Sequence, residues 1–134
     1  MTSPSLELQK AIFDLLRGNP AVTALVNGRI YDRVPENAQF PYVSFGSFTE
    51  TSDDAECIDG FDITIQLSAW SRAVGFPECR QITDAVRNAL PKDGVELPTN
   101  ALVTFSHRIT RMISDPDGLT SQGAMTFEAF VEQP

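Results

Sequence analysis

The chain has 134 residues, of which 42% are hydrophobic and 9% aromatic. That length and composition suit one domain with a buried core and argue against a disordered chain. With a net charge of −8, the chain shows no basic cluster, only scattered arginine pairs, Arg29 and Arg33 or Arg108 and Arg111, which argues against a phosphate-gripping protein.

The opening "MTSPSLELQK" has neither a cationic stretch nor an apolar core, so no signal peptide is expected. No apolar run approaches the ~20 residues of a membrane span. Cys57 and Cys79 could pair in principle, but they are expected as reduced thiols in a chain made in a cytoplasm.

Ser3 and Pro4 offer an N-cap and a first helical position. Leu8, Ala11, Ile12, Leu15 and Leu16 then recur at helical spacing, with Glu7, Lys10, Asp14 and Arg17 on the opposite, wet side. Gly18 closes this helix, and Asn19-Pro20 starts a shorter one that runs through Val26. Asn27-Gly28 turns the chain into Arg29-Ile30-Tyr31.

A polar arm follows, bounded by Pro35 and Pro41. Each proline ring fixes its own φ and biases the preceding residue toward extended geometry, so the arm is stiffened. "PYVSFGSF" (41–48) predicts a strand, and "TETSDDAECIDG" (49–60) a long, exposed acidic loop. In "FDITIQLSAW" (61–70) Phe61, Ile63, Ile65, Leu67 and Ala69 alternate with polar residues, which places one face of a strand on a core.

A helix is expected from about Pro77 to Leu90, striped by Cys79, Ile82, Val86 and Ala89, and ended by "PKDG" (91–94). Two strands, about 101–113 and 124–132, are joined through "SDPDGLTSQG", a third projecting region. The order predicts an α+β domain: a mostly antiparallel four-stranded sheet with helices packed on one face.

No enzyme signature emerges. His107, the single histidine, shares strand parity with Phe105 and Ile109 and reads as a half-buried strand residue. Counting from Gly60 by the calcium-loop template, the ligand places hold Asp59, Cys57, Ala55 and Gln66; only Asp59 fits, so no metal is expected. One histidine and two separated cysteines give no zinc spacing. Cys79 near a helix start could have an activated thiol, yet without a base beside it the residue reads as core. No glycine-rich phosphate loop is present, and no cofactor is expected.

The succession "LQKAIFDLLRGNPAVTALVNGRIYDRVPENAQFPYVSFG", "FDITIQLSAWSR" and "ECRQITDAVRNAL" resembles the small tail-completion, or tail-terminator, proteins of long-tailed phages and gene-transfer particles. The likeness spans roughly residues 6–131 and rests on structural motifs. It implies a structural, non-enzymatic virion subunit, made in the host cytoplasm. Such a subunit forms a hexameric ring on the head-proximal end of the tail tube, ends tube growth and joins tail to head. The implied partners are further copies of the chain, the tail tube protein and the head connector protein; DNA passes without specific binding, and no membrane is involved.

By the same resemblance two segments become candidate assembly contacts. One is the arm, with Tyr31, Arg33, Val34, Pro35, Phe40, Pro41 and Tyr42. The other is the acidic segment, with Glu50, Asp53, Asp54, Glu56 and Asp59. The alternatives are another head-tail connector or tube component, or a small cytoplasmic enzyme using Cys79 or His107.

Overall fold

The computed structural model describes residues 3–54, 58–90 and 96–133. Three helices and five strands follow in the order α1 (Pro4–Gly18), α2 (Pro20–Val26), β1 (Ile30–Tyr31), β2 (Tyr42–Ser52), β3 (Asp59–Ser71), α3 (Pro77–Ala89), β4 (Ala101–Ser114) and β5 (Ser121–Gln133). The strands form one sheet in the order β1-β2-β3-β5-β4, antiparallel throughout except for the β1–β2 pair. The expected α+β class therefore holds, with five strands in place of four. The fifth, β1, is two residues long and owes its existence to parallel pairing of Ile30 with Val43 and Tyr31 with Ser44.

Local chemistry sets the helix ends. Ser3 Oγ accepts from the Leu6 amide, and Asn19 Oδ1 accepts from the amides of Ala21 and Val22. Each satisfies donors that a helix start leaves free. Asn27, in the left-handed region at φ 54°, ends α2.

The core lies between the helices and one sheet face. Leu8, Ile12 and Leu16 of α1, Cys79, Ile82 and Val86 of α3, and Ile63, Ile65 and Leu67 of β3 are all buried there. On β5 the alternation of Met125, Phe127, Ala129 and Val131 puts all four in this core. Each buried leucine, isoleucine, valine, phenylalanine or methionine among them contributes roughly 1.5–3 kcal/mol by leaving water.

Four details differ from the sequence expectation. β2 continues through Ser52 and β3 begins at Asp59, so half of the presumed 49–60 loop, Thr49–Ser52 and Asp59–Gly60, is paired strand, with rungs such as Thr49 to Thr64 and Ser52 to Phe61. Likewise β4 and β5 run to Ser114 and from Ser121, leaving a tight turn where a longer projection was expected. In that turn Asp117 accepts from the amides of Leu119 and Thr120.

The third difference is at His107. A bulge between His107 and Ile109 moves Ile109 to the opposite face, where it pairs with Thr126 and is 49% exposed. An inserted residue shifts the two-residue period by one, so the expected shared parity breaks there. The fourth is Glu7, which sits at the wet side of the helical wheel yet is buried. Its carboxylate accepts hydrogen bonds from Thr99 and Asn100, more than ninety residues away.

Candidate assembly surfaces

The arm connects β1 to β2, and its two feet are clamped together. Arg29 Nε donates to the Pro41 carbonyl at 2.9 Å and Nη2 to the Phe40 carbonyl at 3.4 Å, while the Val43 amide donates to the Arg29 carbonyl. Between the feet, Asp32, Arg33, Val34, Pro35, Glu36 and Asn37 are exposed, with Asn37 at φ 62°. The Phe40–Pro41 peptide bond is cis.

The candidate residues of the arm therefore divide by role. Tyr31, Phe40 and Tyr42 join Trp70 in an aromatic cluster on the sheet face that carries no helix. Tyr42 lies 5.7 Å from Tyr31, 5.0 Å from Phe40 and 6.4 Å from Trp70, between ring centroids. Trp70 Nε1 donates to Ser44 Oγ, and the Arg72 guanidinium lies 4.3 Å from the Phe40 ring centre. Burial raises the Tyr42 phenol pKa, against the lowering influence of Arg72. These residues with Pro41 hold the arm to the sheet, and Arg33, Val34 and Pro35 are the part presented outward.

Trp70, at the end of β3, packs on this outer face. Arg29 and Arg72, which do much of the anchoring, had no sequence signal; their partners are backbone carbonyls and a ring that only the fold brings near.

The acidic candidates lie on the β2–β3 hairpin at the end of the sheet opposite the arm. Glu50, Asp53, Asp54 and Asp59 are exposed, and Glu56 lies outside the described residues. The hairpin closes tightly at Gly60: the Asp53 amide donates to the Gly60 carbonyl at 2.7 Å. A side chain at Gly60 would meet the Asp53 carbonyl and the Phe130 ring within 3 Å. Desolvation, then the hydrogen bond and charge of Asp53 and the charge of Glu128, raise the pKa of Asp62.

The two residues on which an enzymatic reading would rest sit apart in function. Cys79 is fully buried, its Sγ 3.4 Å from the Ala69 carbonyl, and burial pushes its thiol up to about 11. That is the reverse of activation at a helix start, and Cys57 lies outside the described residues. His107 is half-buried, its Nε2 2.6 Å from Thr110 Oγ1 and its ring edge-on to Phe127. It lines an open groove of about 910 Å³ between α3 and β4, with Arg80, Asp84 and Arg87. Burial and then Arg87 lower its pKa, and Arg87 is itself engaged by Asp84 at 2.7 Å. Among the described residues no group of three metal-ligating side chains gathers, and no helix is long and apolar enough to cross a membrane.

An anchored arm thus stands at one end of the sheet of this α+β subunit, and an acidic hairpin at the other. The family profile of tail completion protein gp17 matches residues 10–132. The chain belongs to that family, and is thereby a structural tail-completion component of a virion. No curated protein sequence matches it.

Among solved structures, a chain of the virion of a native gene transfer agent particle shares the fold with a TM-score of 0.89. The two are 24% identical, over 98% of this chain and 99% of that one. The gp17 protein of bacteriophage SPP1 shares it with a TM-score of 0.65 at 22% identity, over 93% of this chain and 88% of that one.

Proposed function

We propose that this subunit forms a homohexameric ring on the head-proximal end of the tail tube, where it ends tube growth and joins tail to head. The observation that carries the reading is the family match over residues 10–132. The partners are neighbouring copies, the tube protein and the head connector. The outward part of the arm, Arg33 to Pro35, and the acidic residues Glu50, Asp53, Asp54, Glu56 and Asp59 are the assigned contacts, with Tyr31, Phe40, Pro41 and Tyr42 setting the arm's position. A net charge of −8, repeated around a ring, supports passage of DNA without tight binding. The role is non-enzymatic.

Deleting the gene in the producing strain and imaging particles by electron microscopy tests this. Unattached heads beside tails, some of uncontrolled length, are expected; normal joined particles would overturn the reading. Complementation with Cys79→Ala or His107→Ala is expected to restore joining, because neither role is chemical. The arm makes a sharper prediction. Arg33→Glu with Val34→Asp alters only exposed side chains, so urea stability should change by no more than about 0.5 kcal/mol. Joined particles should nevertheless fall by about tenfold, equivalent to about 1.4 kcal/mol of contact energy.

A further inference from the structure

The two edges of the sheet are complementary, and this extends the ring reading on which it rests. Among the described residues β4 pairs with β5 alone, which makes it an edge along its 14 residues. On the opposite side, β1 covers β2 only at Val43 and Ser44, so the distal half of β2 is an edge too. Each edge leaves backbone donors and acceptors ready for another strand. Their charges are opposite. β4 carries Arg108 and Arg111 and no acid, although the chain holds 18 acidic residues; β2 and the residues after it carry Glu50, Asp53 and Asp54 and no base. Among the described residues Arg108 pairs with Glu128 at 3.5 Å on the exposed face.

Strand direction fits as well. β2 is antiparallel to β3, β3 to β5 and β5 to β4, so β4 runs antiparallel to β2. A second copy rotated about an axis roughly along the strands would set its β2 beside this β4 with the alternation unbroken. Such head-to-tail contacts close into a ring when the rotation permits. Bulges interrupt β2 between Phe45 and Phe48 and β4 at two places. They confine straight pairing to short windows, which keeps either edge from templating an indefinite sheet.

We infer that neighbouring copies join through these edges, the acidic distal half of β2 in one copy lying antiparallel beside the basic β4 of the next. Thr49 and Ser106 occupy the same rung of the sheet, through Thr64 and Glu128, and both are exposed. Opposed residues of paired strands come within disulfide reach. The test places Thr49→Cys with Ile109→Cys, the antiparallel register that sets Glu50 beside Arg108, or with Ser106→Cys or Thr104→Cys, which allow for stagger, and replaces Cys57 by serine throughout. Particles from the complemented deletion strain are oxidised mildly and run on a non-reducing gel. The expected result is a ladder of linked copies for at least one pair, with single-cysteine variants remaining monomeric. Chain present in particles but monomeric for all three pairs, or linked only to a protein of another mass, overturns the edge contact and leaves the tail-completion role standing. Chain absent from particles overturns both.

Discussion

Glu7→Ala should lower the unfolding free energy by about 2–4 kcal/mol, the cost expected when a buried, hydrogen-bonded charge is removed from its partners. Glu7 is 8% exposed. Its carboxylate accepts from the amides of Thr99 and Asn100, from Thr99 Oγ1 and from Asn100 Nδ2. Together these dock the segment entering β4 onto the first turn of α1. The alanine variant leaves the buried Asn100 amide without this acceptor and loosens the neighbouring Leu97. Glu7→Gln keeps an acceptor of the same shape and should cost less, about 1–2 kcal/mol.

The same site has a pH signature. Burial alone would raise the Glu7 pKa, but the hydrogen bonds from Thr99 and Asn100 outweigh it and the net shift is downward. A carboxyl depressed in the folded state stabilises the fold above its unfolded pKa, and that contribution is lost as pH falls through the folded value. Urea midpoints taken from pH 7 to pH 3 should therefore show the gap between wild type and Glu7→Gln closing in acid. A gap independent of pH would show that the carboxylate charge is not what holds the segment.

Gly123→Ala should destabilise by about 2–3 kcal/mol, a typical cost of overpacking. Gly123 lies on β5 directly under α3: a methyl there would sit 2.5 Å from Thr83 Cγ2 and 3.0 Å from Cys79 Sγ. Both neighbours are buried on a helix tied down by Ile82 and Val86, so relief requires α3 to lift from the sheet. Thr83→Ser removes the clashing methyl and keeps the hydroxyl that donates to the Arg80 carbonyl. In a double-mutant cycle it should recover about 1 kcal/mol or more of the loss. Additive effects would place the strain elsewhere.

How much was legible in the sequence followed from how local each signal is. α1 and α3 were readable because leucines, isoleucines and valines recur at helical spacing; β3 was readable because apolar and polar residues alternate, as they do on β5 with Phe130 the exception. Caps at Ser3, Asn19 and Asn27 act within a few residues, so they too were visible. The family resemblance rested on this ordered set of elements, and the arm and acidic segment stood out as polar stretches between them.

What the sequence by itself determined was the helices and four of the five strands, the α+β class and the family; the tertiary structure alone decided where the polar residues lie and what they meet. Thr49 to Ser52 look like loop but are strand, because β3 supplies their hydrogen bonds across the hairpin. Two residues, Ile30 and Tyr31, count as a strand only beside β2. Ile109 changed face because a bulge in pairing with β5 interrupts an otherwise regular period. Glu7 looked wet on the helical wheel until Thr99 and Asn100 returned to cover it, and Arg29 looked scattered until Phe40 and Pro41 came within its reach. Periodicity reports forces between near neighbours in the chain. Burial, pairing register and charge environment depend on residues brought together from far along it, and these are what position the arm, the hairpin and the two edges.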